Sequence, residues 1–188
     1  WPGSVRGVGA PPCPPLPQPQ PPAADSATVE TVAEAIRTGA KTALLLGGRA
    51  LRAPALEAAG RLAAHCGVTL LAETFPTRLE RGAGLPPVER IAYLAELATL
   101  QLSAFDQLIL VDAKAPVSFF AYPGKPSYLV PDTCTLHTLA TPEQDSLASL
   151  EALVQALGAG TAEPPRQPAA RPARPRGKLT AEKVCKAI

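Results

Sequence analysis

Thr42-Ala43-Leu44-Leu45-Leu46-Gly47-Gly48 and, some twenty residues on, Val68-Thr69-Leu70-Leu71-Ala72 are two short, continuous apolar runs. Neither alternates between apolar and polar residues. Strands of that kind belong in a parallel sheet covered by helices on both faces. The segment between them reads as a helix. Pro54 suits a first turn. Ala55, Ala59, Leu62, Ala63 and Cys66 make an apolar stripe, while Arg52, Glu57 and Arg61 point away from it. Gly67 is the stop. A strand, a helix and a second strand at this spacing form a β-α-β unit, for which a right-handed crossover is expected.

The pattern extends in both directions. Upstream, Asp25 or Ser26 can cap a helix whose buried face is Val29, Val32, Ala33 and Ile36, with Gly39 closing it. Downstream, Glu73 to Pro87 is charged and glycine-bearing, with no period, and reads as a long loop. Residues from Val88 to Ala104 read as one helix, apolar nearly all round and so expected to be well buried. Gln107 to Val111 is a third strand, and Ser127–Val130 and Thr135–Leu139 are short strand candidates. Thr141-Pro142-Glu143-Gln144 has the order of a helix start, with Leu147, Leu150, Val154 and Leu157 behind it and Gly158 as its end. The fold class expected is α/β: a Rossmann-like three-layer domain with a mostly parallel sheet of five to six strands.

The ends differ in composition. Residues 1–22 hold nine prolines and residues 161–178 hold five, so both are expected to be disordered, proline-rich linkers. The folded unit is expected at 23–160, a common domain size. The chain begins at Trp1 and has no methionine, which suggests a fragment of something longer. Residues 23–160 carry ten basic and fourteen acidic side chains, and residues 161–188 carry seven and two. The basic tail interleaves with proline and has no aromatic residue for base stacking. It is therefore read as solvated linker, and nucleic-acid binding is not expected. No signal-peptide core is visible, and no apolar run reaches the roughly eighteen residues needed to span a bilayer. No membrane association and a cytoplasmic location are the corresponding expectations.

Catalytic signals are sparse. Cys13, Cys66, Cys134 and Cys185 make no C-x-x-C pair, which argues against zinc. Cys66 and Cys134 read as small core residues. His65 and His137 have no partner in a nucleophile motif, and no residue stands out as catalytic or metal-ligating. Three places lie where ligands bind in such folds, beyond the carboxyl ends of strands. The first is Gly47-Gly48-Arg49, a tight strand-to-helix turn or a phosphate-approach loop. The second is the loop with Arg78, Glu80 and Arg81, either an anion clamp or a surface loop with internal ion pairs. The third runs from Asp112-Ala113-Lys114 into Phe119-Phe120-Ala121-Tyr122. Here Phe105, Phe119 and Phe120 are read as core packing, with an adenine or flavin pocket as the alternative.

Three segments carry a resemblance. They are Thr42 to Leu51 (T-A-L-L-L-G-G-R-A-L), Glu73 to Pro87 (E-T-F-P-T-R-L-E-R-G-A-G-L-P-P), and Ala113 to Pro131 (A-K-A-P-V-S-F-F-A-Y-P-G-K-P-S-Y-L-V-P). Residues 41–160 resemble the central domain of thiamine diphosphate-dependent enzymes of the acetolactate synthase large subunit-like and benzoylformate decarboxylase group. That family runs pyrimidine-binding domain, central domain, pyrophosphate-binding domain. The resemblance therefore implies that 1–22 and 161–178 are the two connections and that 179–188 begins the third domain, with Thr180 as a helix cap. It implies thiamine diphosphate and Mg²⁺ in the parent enzyme, with lyase or transferase chemistry on 2-keto acids carried by the cofactor. The family's activating glutamate and its G-D-G cofactor motif belong to the other domains. No catalytic residue can be carried onto this chain, and no activity is expected of it alone. Some members hold FAD or ADP in this domain, and Gly47, Gly48 and Arg49 would be the turn facing it. A homodimer or homotetramer is implied for the parent. The alternative is a freestanding Rossmann-like module binding FAD, NAD or ADP.

Overall fold

The computed structural model describes residues 13–17, 20–121, 123–170 and 173–187. Much of the first proline-rich stretch, and Tyr122 of the third ligand place, lie outside these.

The elements in chain order are α1 (Ser26–Arg37), β1 (Thr42–Leu46), a 3-10 turn (Gly48–Leu51), α2 (Ala53–Cys66), β2 (Thr69–Ala72), β3 (Glu89–Arg90), α3 (Ala95–Leu102), β4 (Gln107–Val111), β5 (Thr135–Ala140), α4 (Ser146–Ala156) and α5 (Ala181–Ala187). The five strands form one sheet in the order β3-β2-β1-β4-β5, and every pair is parallel. The α/β Rossmann-like class read from the sequence is the class observed.

Alternation within the buried strands divides the core in two. Leu44, Leu46, Leu70, Ile109 and Val111 face α1, α2 and α4. Ala43, Leu45, Leu71, Leu108 and Leu110 face the other side, where α3 is the helix that contributes, through Ala98 and Leu102. Leu44, Leu45 and Leu46 are at most 1% exposed, and burying each such side chain contributes about 1.5–3 kcal/mol. The central strands thus read as apolar runs because both of their faces are covered.

Local capping follows the chemistry of short polar side chains. Asp25 starts α1 by accepting the Thr28 N–H at 2.8 Å. Helix α2 has no cap of its own; Glu80 supplies one from the long loop, accepting the Ala53 N–H at 2.7 Å.

Four expectations are corrected. Residues 88–104 are not one helix. Glu89 and Arg90 pair with Leu71 and Ala72 as β3, and the Ile91 N–H donates to the Ala72 carbonyl at 2.9 Å. The exposed edge of β2 recruits these residues because its backbone groups need partners, and the helix begins only at Ala95. Nor is α3 well buried, since Leu94, Leu97 and Leu100 stand 55%, 52% and 69% exposed.

Ser127–Val130 is not a strand of the sheet. It folds back on Val117 through one antiparallel bridge to Tyr128, after the turn at Gly124. The last helix of the folded unit is capped by Asp145, which accepts the Ala148 N–H at 3.0 Å, and not by Thr141. Thr141 and Gln144 instead close a turn on each other, the Thr141 N–H donating to Gln144 Oε1 at 2.9 Å.

Beyond α4 the chain lies back across the domain. Arg166 pairs with Glu57 at 2.6 Å, and Gln167 exchanges backbone hydrogen bonds with Gly84 and Leu85 at 2.8 and 2.9 Å.

Candidate functional site

The strand order places a topological switch between β1 and β4. From β1 the chain crosses to β2 on one side, while β4 lies on the other, so the loops after β1 and β4 part and leave a crevice at their carboxyl ends. This brings together two of the three ligand places, Gly47-Gly48-Arg49 and Asp112-Ala113-Lys114. The loop with Arg78, Glu80 and Arg81 does not join them. Glu80 caps α2 and pairs with Arg78 at 3.2 Å and with Arg52 at 3.8 Å, and Arg81 is exposed. That loop is held by internal ion pairs.

Asp112 organises the crevice. The register with β5 shifts by one residue between Leu110 and Val111, and Asp112 follows directly with φ +53°, a left-handed conformation that aspartate tolerates better than most residues. Its N–H donates to the Ala140 carbonyl at 2.8 Å. Its carboxylate turns in toward the glycine turn, accepts the Arg49 N–H at 2.7 Å, and lies 3.8 Å from the Arg49 guanidinium. A Cβ placed on Gly48 would fall 2.6 Å from that carboxylate, and one on Gly47 would fall 2.3 Å from the Asp112 carbonyl oxygen. The two glycines are therefore required by the close approach of Asp112.

The same groups set the electrostatics. Burial pushes the Asp112 carboxyl above its ordinary range, against the opposing pull of the Arg49 amide and guanidinium. Burial also raises Glu73, just past β2; the Gly48 amide acts against that, and the Asp112 charge adds to it. Beside them a cleft of about 200 Å³ is lined by Glu73, Thr74, Phe75, Ile91, Lys114 and Val117. Arg49 is anchored away from it, donating to the carbonyls of Pro142 and Gln144 at 3.3 and 2.7 Å.

This arrangement does not fit a nucleotide phosphate on the turn. The Arg49 amide that a phosphate would use already holds a carboxylate, and a second anion would meet Asp112 and Glu73. An internal anion occupies the position that helix-start amides offer to phosphates in other folds.

Sequence reasoning gave Asp112 and Glu73 no role of their own. A partial signal existed, because an aspartate directly after a buried strand must find partners, but the sequence does not say which.

The remaining candidates separate. Phe105 packs partly buried against the second core cluster. Phe119 and Phe120 do not pack in the core; they are 63% and 51% exposed. His65 is exposed on α2 and His137 lies on the edge strand β5. Cys66 is half-buried, Cys134 is buried, and all four cysteines are free thiols. Among the described residues no group of three or more His, Cys, Asp or Glu side chains is placed to hold a metal ion. Among the same residues, no helix is long and apolar enough to cross a membrane.

No family model matches the chain. Against curated proteins it is 48% identical over 158 residues, 84% of its length, to the protein named "Putative acetolactate synthase large subunit IlvX" of Mycobacterium tuberculosis. The chain is a homologue of part of an acetolactate synthase large subunit-like protein. It spans 30% of that relative's length. Two solved structures share the fold of this chain. One is described as a "putative thiamin diphosphate-dependent enzyme" from Mycobacterium smegmatis, with TM-score 0.56, 22% identity, and 93% of this chain and 34% of that one covered. The other is a thiamine diphosphate-dependent 4-hydroxybenzoylformate decarboxylase of Rhodococcus jostii RHA1, with TM-score 0.55, 17% identity, and 94% and 32% covered. The mycobacterial relative carries a name from the group that the three sequence segments resemble.

Proposed function

We propose that this chain is the central, non-catalytic α/β domain of a larger thiamine diphosphate-dependent, acetolactate synthase-like enzyme acting on 2-keto acids by decarboxylation or carboligation. The observation that carries the reading is 48% identity to a relative of which the chain spans 30%. On this reading residues 23–160 are the domain, and 1–22 and 161–178 connect it to pyrimidine- and pyrophosphate-binding domains. Residues 179–188 begin the latter, in keeping with Thr180 accepting the Lys183 N–H at 3.3 Å ahead of α5.

Thiamine diphosphate with Mg²⁺, held by the neighbouring domains, supplies the electron sink for decarboxylation when bound. The chain's own residues space and orient those domains. The perturbed carboxylates of Asp112 and Glu73 lie at the glycine turn, where Asp112 holds the β1 and β4 loops together, which is a structural task. The parent is read as a cytoplasmic homodimer or homotetramer.

The test is to isolate the intact polypeptide that carries these residues. The expected mass is about three times the 19.4 kDa of the chain, with release of carbon dioxide from a 2-keto acid that depends on thiamine diphosphate and Mg²⁺. The 188-residue chain alone should show no such activity. A native polypeptide no heavier than this chain would sink the reading and leave the freestanding FAD-, NAD- or ADP-binding module in its place.

Nucleotide binding has its own expectation. With Asp112 occupying the turn of Gly47, Gly48 and Arg49, the purified protein should carry no flavin absorbance, and saturating ADP should not raise its melting temperature. A rise of several degrees with ADP would mean that Asp112 yields its place to phosphate.

A further inference from the structure

The two faces of the sheet are unequally covered. Among the described residues, three helices pack on one and a single two-turn helix on the other. On that thinner side, α3 buries only Ala98 and Leu102 while Leu94, Leu97 and Leu100 project. Leucines exposed on a helix that already buries another face mark a surface made to be covered.

The apolar surface continues beyond α3. Phe75, Tyr93, Phe119 and Phe120 form a connected cluster of edge-on and tilted ring contacts with centroids 4.9–6.1 Å apart, and each is more than half exposed. They come from three separate segments: the loop after β2, the connection between β3 and α3, and the loop after β4. Four aromatic rings gathered from distant parts of the chain and left facing water form a platform, since aromatic side chains each bury about 150–250 Å² when covered. Together with the α3 leucines they offer an apolar area on the order of 800 Å², the size of one side of a standard protein interface. Polar groups frame it, with Glu96 paired to Lys125 and Gln101 donating to Glu89 at 2.8 Å. An apolar centre with a polar rim is the anatomy of an interface.

We propose that α3 and this aromatic platform dock a neighbouring domain of the same larger enzyme; the proposal rests on the parent-enzyme reading above. The match takes up 30% of the mycobacterial relative, so over two thirds of that chain lies elsewhere, enough for two more domains of this size. Clefts of about 230 and 200 Å³ beside the aromatic rings offer seats for projecting side chains of that domain.

The experiment uses Leu97→Cys and Phe119→Cys, each made in the 188-residue chain and in the intact polypeptide. Maleimide labelling is read at that site by mass spectrometry, and each rate is referred to its value in urea. Both positions should label fast in the shorter chain and at least tenfold slower in the intact polypeptide. Equal rates in the two, with an intact polypeptide several times heavier than this chain, would overturn the docking surface and leave the parent-enzyme reading standing. An intact polypeptide no heavier than this chain would remove the proposed occupant and that reading together. Protection that appears in the shorter chain alone as its concentration rises would assign the face to a second copy and overturn the proposal.

Discussion

Gly47→Ala should cost the domain about 3 kcal/mol or more, the largest loss expected from removing no existing contact. Gly47 has φ −132° and ψ −178°, extended backbone that any residue adopts, so conformational strain is not the cause. The cause is space. The added Cβ would sit 2.3 Å from the Asp112 carbonyl oxygen and 3.1 Å from Ala113 Cα and Cβ. Those atoms are tied to the sheet. Asp112 N–H is bonded to Ala140, and Gly47 N–H itself donates to the Val111 carbonyl at 3.0 Å. Relief requires the β1 and β4 ends to part, and overpacking against such a frame lies at the upper end of its usual range of about 1–3 kcal/mol. Gly39→Ala is the control. It has φ +74° and nothing within 4 Å of the added Cβ, so its cost should be about 1 kcal/mol, from conformation alone. Urea denaturation of both variants checks the contrast. A Gly47→Ala protein within about 0.5 kcal/mol of the parent, a margin typical of surface changes, would show that the two loops are not in contact.

Asp112→Ala should cost about 3 kcal/mol, and Asp112→Asn much less. The alanine leaves the Arg49 N–H without its acceptor, a loss of about 1–3 kcal/mol, and puts a residue with no local hydrogen bond at φ +53°. Asparagine keeps an oxygen for the Arg49 N–H and tolerates the left-handed region.

The pH dependence separates charge from shape. Burial raises the Asp112 carboxyl above its ordinary 3.8, so the folded state holds that proton more tightly than the unfolded state does. Its contribution is fully present below the unfolded value and is lost as pH rises through the folded one. Glu73, raised from 4.5, adds in the same direction. Of the stability carried by these two groups, the wild type should therefore gain some as pH falls from 7 toward 4. The gain should be smaller in Asp112→Asn, which keeps only the Glu73 part, itself reduced by the loss of the Asp112 charge. Melting curves across that range measure the difference. Equal slopes in the two proteins would mean that Asp112 is not the group titrating.

The elements that could be read from the chain are those whose instructions lie within a few residues. Thr42–Leu46 and Gln107–Val111 announce buried parallel strands by their apolar runs. Residues 53–66 announce a helix by period, and Asp25-Ser26 announces the start of α1 by side-chain chemistry. The misread elements are those whose neighbours are distant in sequence. Glu89 and Arg90 lie in a stretch whose period reads as helix, yet they pair as a strand because the open edge of β2 needs partners. Thr141 carries the better start signal, yet Asp145 caps the helix.

The site divides in the same way. The glycine pair after β1 was visible, and so was its position at a carboxyl edge. What fills the turn was not, because Arg49 and Asp112 are 63 positions apart, just as the α2 cap arrives from Glu80, 27 positions after Ala53. Apolar period and turn chemistry fix the central strands β1, β2 and β4 and the helices α1 and α2, since burial and capping act on neighbouring residues. The occupant of the crevice, the edge pairing of β3 and the apolar platform beside α3 are decided by which segments the packed sheet brings within hydrogen-bonding or ring-contact distance.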